Sequence, residues 1–318
     1  MQSARSLALV RCGTAACVNR LLGFLLVLSL LSTSGCAWLD VKERELIYRP
    51  TPGIPADFGG LRPGDERYFV NVPQSVVSDT GSAQAGVDAA QAVQRIELWW
   101  LPSAEKSAPT LLYFHGTFRT LFQNMPKIEA LREAGFAVLA VEYRGWGLST
   151  AITPSEQSIQ QDASLAWAEM QRREPRAESR VIYGHSMGSG VAVDLASRLQ
   201  AGVDYGAIIL ESAFTSFRDI AREAGFVAGL AAYASNERFA SDEKIGRVHA
   251  PLLMIHGSLD TTIPLSLGYS LFAAANSPKE WHTIEGGSHS DLHDVGMAEY
   301  QAILKNFINQ YLSTKPAP

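Results

Sequence analysis

The chain has 318 residues and a formal net charge of −5, with 47% apolar and 19% charged residues. This balance excludes a disordered polar chain and a bundle of membrane spans, and an acidic total offers no basic field to nucleic acid. The length lies within what a single α/β sheet can organise.

The first 36 residues contain Arg5, Arg11 and Arg20 and no acidic residue. An apolar run from Leu21 to Leu31 follows, then Ser32-Thr33-Ser34-Gly35-Cys36. A positive leader, a short apolar core and small residues make residues 1–35 a secretory signal peptide. The run is about half the ~20 residues needed to cross a bilayer. Its end resembles a bacterial lipoprotein lipobox, departing from it at Thr33, where that family usually has Leu. The resemblance implies cleavage before Cys36 and acylation of Cys36. The other cysteines are Cys12 and Cys17, so cleavage leaves one cysteine and no internal disulfide. An ordinary signal peptide, an uncleaved anchor and a misplaced start stay open. Loss of the leader makes the remainder more acidic, so the lipid chain rather than charge would hold the membrane. Ala37, rather than Asp, resembles the outer-membrane sorting pattern of Gram-negative lipoproteins. That implies a lipid-anchored protein of the bacterial envelope, on the outer membrane and facing the periplasm.

Residues 36–65 read as a tether and extended lead-in, because Pro50, Pro52, Gly53, Pro55, Gly59, Gly60, Pro63 and Gly64 crowd it. A single domain over 66–314 follows. Glu66–Val72 and Gln94–Leu101 suit strands, separated by a Ser/Ala/Gly/Gln-rich surface loop over 75–91. Joined without a helix, these strands predict an antiparallel edge. From Thr110 the chain alternates. Strands are expected at Thr110–Phe114, Phe136–Glu142, Arg180–Tyr183, Ala207–Leu210, Leu252–Ile255 and Glu280–Ile284. Helices are expected near 124–134, 156–173, 187–200, 264–275 and 297–312. Apolar strands alternating with helices predict an α/β fold, a mostly parallel sheet with helices on both faces.

Gly184-His185-Ser186-Met187-Gly188 follows a strand and opens a helix, the context a nucleophile elbow requires. The turn is tight enough to strain Ser186 and to demand small neighbours at 184 and 188. A serine hydroxyl is a weak nucleophile, so a base and an orienting acid are needed, in the chain order Ser, acid, His. Asp260 and His289 each follow directly on a strand and meet that order. His293 is the rival base, without the Gly286-Gly287 turn. Glu211 is the fallback acid, and Asp291 and Asp294 read as solvated loop charges. His115 and His185 read as packing residues beside the site. The oxyanion donors are assigned to the backbone N–H groups of Met187 and Thr117, the latter after Gly116 in the loop beyond Phe114.

These residues resemble the α/β-hydrolase superfamily, in the branch of depalmitoylase-like, lysophospholipase-like and serine aminopeptidase-like hydrolases. Leu112-Tyr113-Phe114-His115-Gly116, Glu142 to Ser149, the elbow, Glu211 to Ser216, Pro251 to Pro264 and Gly286 to His289 carry the resemblance. It covers about Arg95 to Leu312. Thr117 departs from the Asn usual in that branch. The resemblance implies the α/β-hydrolase fold and hydrolysis of carboxylic esters or thioesters, with an acyl or lipid-like small molecule as substrate. A serine peptidase on the same scaffold is the alternative, and a surface lipoprotein keeping a dead fold is a third. Nothing in the spacing suggests a metal site, and no phosphate-binding loop follows the first strand, so no cofactor is expected. The segment 212–247 reads either as crossover helices packed on the sheet or as a small cap lining an acyl pocket. Tyr143–Ser149 is expected at the rim of the site, where Arg144 reads as a residue tying loops together.

Overall fold

The computed structural model describes residues 38–74 and 93–312. The leader, Cys36 and the 75–91 loop lie outside the described residues. Contacts divide the chain into two units, Met1–Leu46 and Ile47–Pro318. In the first, the described residues are helical, part of a helical stretch over 38–48. This corrects the extended reading. Lys42 pairs with Glu45 at 2.6 Å and Arg44 with Asp40, one helical turn apart, in a stretch free of Pro and Gly.

The second unit contains one sheet of eight strands: β1 (Glu66–Asn71), β2 (Arg95–Leu101), β3 (Thr110–Phe114), β4 (Ala137–Glu142), β5 (Arg180–His185), β6 (Ala207–Glu211), β7 (Leu252–Gly257) and β8 (Lys279–Ile284). Their order is β1-β2-β4-β3-β5-β6-β7-β8. β1 with β2 and β2 with β4 are antiparallel, and the remaining pairs are parallel. The antiparallel edge and parallel body are those expected from the alternation of strands and helices.

Helices cover both faces: α1 (Leu121–Glu133), α2 (Glu156–Arg173), α3 (Met187–Ala196), α4 (Phe217–Glu223), α5 (Phe226–Ala234), α6 (Leu265–Ala274), α7 (Leu292–Val295) and α8 (Met297–Phe307). Alternation along β3 shows how two cores arise. Leu112 and Phe114 join the core under α2, α3 and α6, while Leu111 and Tyr113 join the core under α1 and α8. α2 starts at a reciprocal cap: Ser158 N donates to Ser155 Oγ at 3.1 Å and Ser155 N to Ser158 Oγ at 2.9 Å. It then buries Ile159, Ala163, Ala166, Trp167 and Met170 along one face.

Two expectations are revised here. β8 is half-buried rather than enclosed, because it is the outer strand and only Ile284 is fully covered. The lead-in from Ile47 is packed rather than a free tether. Tyr48 is fully buried, Pro52 bridges to Gly147, and Phe58 meets Trp99 and Phe122 at 5.7 and 4.7 Å. Pro and Gly bend this stretch, but its aromatics gain more by burial than by staying in water.

Candidate active site

Parallel register brings the carboxyl ends of β3, β5, β6, β7 and β8 together: Phe114 lies beside Gly184, His185 beside Glu211, Glu211 beside Ile255, and Gly257 beside Ile284. Every residue proposed for the chemistry hangs from this edge. Between β5 and α3 the chain reverses at Ser186, whose φ of 56° and ψ of −126° are costly for a side-chain-bearing residue. The turn is held by Ser186 N donating to Glu211 O at 3.0 Å and Ser189 N to Ser186 O at 2.8 Å. A Cβ at Gly188 would run into the Phe114 carbonyl, so the helix can approach β3 only with glycine there.

Ser186 Oγ lies 2.8 Å from His289 Nε2, and His289 Nδ1 lies 2.8 Å from Asp260 Oδ2. Asp260 also accepts, on Oδ1, the N–H groups of Thr262 at 2.9 Å and Ile263 at 2.8 Å. Burial alone would raise the Asp260 carboxyl pKa. Hydrogen bonding from His256 and His289 outweighs it and holds the group far below the ordinary carboxylate range. An ionised carboxylate only accepts, so Nδ1 of His289 carries a proton, and in the neutral imidazole Nε2 is then the acceptor facing the serine hydroxyl. The arrangement can therefore take a proton from Ser186 without prior rearrangement.

The His289 loop is held from several sides. Leu259 N donates to Gly287 O at 2.9 Å, and Ser288 N donates to Asp291 Oδ1 at 2.6 Å. His185 Nε2 lies 2.8 Å from the His289 carbonyl, and Ser212 Oγ donates to the same oxygen at 3.3 Å. His185 is thus a support of the His289 loop and not only packing, and Asp291 is a turn-forming residue and not a solvated charge. Ser212, with a φ of 50°, was not singled out by its sequence, and only its left-handed backbone betrays it. His256 is a further addition: its Nε2 lies 3.0 Å from the Ile263 carbonyl and 3.4 Å from Asp260 Oδ2.

The rival residues are elsewhere. Glu211 binds Lys127, and its Oε2 accepts from Tyr183 at 2.6 Å and Tyr300 at 2.8 Å, so it is no acid for His289. Burial would raise its pKa, but the Lys127 ammonium leads the groups that lower it to about 2. His293 is buried beside that cluster, and burial, then Lys127, push its pKa down. Asp294 is exposed on α7.

A Cβ at Gly116 would sit 2.9 Å from Ser186 Cβ, so the loop after β3 passes directly over Ser186. Among the described residues the N–H groups of Thr117 and Met187 donate to no other group. Phe118, with a φ of 71°, completes the turn. Tyr143, Arg144 and Trp146 are buried rather than at a rim. Tyr143 packs on His115 at 4.5 Å, and Arg144 pairs with Asp162 at 2.8 Å and bonds Gln94 at 2.7 Å. This segment backs the Gly116–Thr117 loop from below.

The 212–247 segment forms a helical hairpin, α4 and α5. Phe214 is buried, but Phe226, Val227, Leu230 and Tyr233 face outward. Among the described residues no cluster of three or more His, Cys, Asp or Glu side chains is arranged to hold a metal ion.

Comparison with known proteins places this geometry. The family described as serine aminopeptidase, S33, matches residues 105–237. Human alpha/beta hydrolase domain-containing protein 17B is 31% identical over 220 residues, covering 69% of this chain and 72% of that protein. Zebrafish lysophosphatidylserine lipase ABHD12 is 34% identical over 196 residues, 57% of this chain and 51% of that protein. The chain thus spans about half the length of the curated lipases it matches. A solved Pyrococcus furiosus esterase, Pf2001, shares the fold with a TM-score of 0.59 at 15% identity, covering 83% of this chain and 99% of that one. The chain belongs to the α/β-hydrolase family.

Proposed function

We propose that the protein hydrolyses carboxylic esters or thioesters of lipid-like acyl groups through an acyl-enzyme. Ser186 is the nucleophile, His289 the general base and acid, and Asp260 the carboxylate that orients the imidazole. The observation that carries this reading is the hydrogen-bonded line from Ser186 through His289 to Asp260, set on a strained elbow. Ser186 Oγ attacks the acyl carbon while His289 Nε2 takes its proton. The carbonyl electron pair moves to oxygen, where the N–H groups of Thr117 and Met187 stabilise it. Collapse of that intermediate expels the alcohol or thiol, which takes the proton from His289. Water then attacks the acyl-serine, gives His289 a proton that returns to Ser186, and releases the acid.

The named activity of the lysophosphatidylserine lipases supports a lipid ester as substrate. The name of the matching family favours a peptidase instead. A fluorophosphonate probe and a chain-length series of p-nitrophenyl esters, run beside aminoacyl amides, decide between them. Labelling of the parent but not of Ser186→Ala, with esters the better substrates, is expected. Labelling that survives Ser186→Ala sinks the triad, and faster amide turnover sinks the esterase reading.

The lipobox resemblance supports a lipid anchor at Cys36 in the bacterial envelope, on the outer membrane facing the periplasm. Cys36→Ser should block processing or release the protein into the soluble periplasmic fraction. Unchanged maturation and fractionation would remove the anchor from this account.

A further inference from the structure

Helix α5 reads Phe-Val-Ala-Gly-Leu-Ala-Ala-Tyr-Ala, nine residues without a charged side chain. Phe226, Val227, Leu230 and Tyr233 are 84, 80, 64 and 61% exposed. Their spacing of one, four and seven puts them along one face. The side toward α4 is small: Gly229 is buried, and a Cβ there would lie 3.2 Å from Arg222 Cα. The helix therefore packs through its glycine and turns its largest apolar residues to water, the reverse of a solvated helix. A contiguous apolar face of this kind marks a surface that meets something.

Where the N-terminal chain joins the fold says what it meets. Tyr48, at the start of the compact unit, lies 6.5 Å from Phe217 and 6.4 Å from Phe239 by ring centroids, and bonds Glu237. Phe217 opens α4, while Glu237 and Phe239 follow α5. Cys36 is about a dozen residues upstream, a span of at most ~40 Å. A chain fixed to a bilayer at Cys36 therefore keeps this hairpin within reach of the same surface. The rim has matching chemistry. The Arg218 guanidinium lies 5.4 Å over the Tyr233 ring and donates to the carbonyls of Ala232 at 3.3 Å and Tyr233 at 3.4 Å. Among the described residues it has no carboxylate partner. A phenol and a guanidinium that has no carboxylate partner among the described residues, at the border of an apolar face, suit the headgroup level of a membrane, where the cation meets phosphate.

We propose that the outward face of α5 docks on a lipid bilayer, laying the hairpin into the boundary between headgroups and acyl chains. The choice of occupant rests on the lipid anchor proposed for Cys36, whereas contact of the face with lipid is read separately below. It brings the carboxyl edge of β6, from which the hairpin departs, toward a membrane-held ester.

The test uses the full acylated chain reconstituted in phosphatidylethanolamine and phosphatidylglycerol vesicles carrying spin-labelled lipid. Phe226→Trp should add fluorescence that the labelled lipid quenches by about half, while Val203→Trp, before the opposite end of β6, should not be quenched. Phe226→Ser combined with Val227→Ser and Leu230→Ser should slow turnover of a bilayer-embedded ester about tenfold and leave a soluble short-chain ester within about twofold. An unquenched Trp at 226 overturns the proposal. So does a dimer, seen by light scattering, that the triple variant dissolves, since the face then belongs to a second copy. If Ser186 resists fluorophosphonate while Trp at 226 is quenched, the hydrolase reading falls and the docking surface stands.

Discussion

Helices α3 and α5 are both short, glycine-containing and mostly apolar; α3 leaves β5 directly, and α5 follows α4 in the segment that leaves β6 at the same edge of the sheet. Every residue of α3 is buried, whereas the four largest side chains of α5 face water. The difference lies in where the glycines point. In α3, Gly188 lets the helix reach the Phe114 carbonyl, and Gly190 would place a Cβ 2.9 Å from the Phe239 ring, so the helix is enclosed. In α5 the one glycine faces a neighbouring helix, and among the described residues the large side chains on the opposite side stay exposed. Apolar composition sets a tendency to be covered, and packing geometry decides which helix the fold itself covers.

The sharpest way to break this contrast is at the start of α3. Ser186→Ala should lower kcat/KM on a short-chain ester by about 10⁴ or more with the circular dichroism unchanged. Asp260→Asn should cost about 10²–10⁴, because the amide keeps the Thr262 and Ile263 bonds but faces His289 with a donor. Asp291→Asn, which can still accept from Ser288 N, should cost less than about tenfold. If Asp291→Asn is the more damaging change, Asp260 is not the acid.

Next in size is the charge pair beneath the elbow. Lys127→Met leaves the Glu211 carboxylate buried without its cation and should destabilise by about 3–5 kcal/mol at neutral pH, read by urea unfolding. Glu211 is depressed from 4.5 to about 2, so it contributes stability above its unfolded pKa and loses it as pH falls through the window from 4.5 to about 2. In the variant Glu211 can protonate instead, so the gap from the parent should narrow on acidification from pH 7 to 5. A constant gap would mean that the cost is packing and not charge.

Smaller still is a matched pair of glycine changes. Gly188→Ala forces a methyl against a backbone carbonyl and should cost about 3 kcal/mol or prevent folding, whereas Gly229→Ala should shift stability by less than about 1 kcal/mol. Comparable losses at both sites would show that α5 is as tightly enclosed as α3. The smallest effect is expected for Leu230→Ser: as an exposed side chain, its loss should change unfolding free energy by less than about 0.5 kcal/mol in the absence of lipid. A loss above about 2 kcal/mol would show that the side chain is covered in solution.

Local pattern carried much of this molecule. Strand β3 and helix α2 have the bounds their apolar periodicity predicts, since each is decided by residues a few positions apart. The elbow, and the positions of Asp260 and His289 just past two strands, were equally legible, because a tight turn at a strand end leaves a mark in Gly, Ser and Asp. Tertiary structure alone decided the rest. His185 and Ser212 meet the His289 carbonyl across 104 and 77 positions, and Lys127 finds Glu211 across 84. Tyr48 crosses 189 positions to Glu237, turning a Pro- and Gly-rich lead-in into part of the core. No local pattern encodes such pairs, because a buried polar group is satisfied by whatever the folded chain brings beside it. For the same reason the sequence marked α5 as apolar and helical, but only the packed fold showed which way its apolar face points.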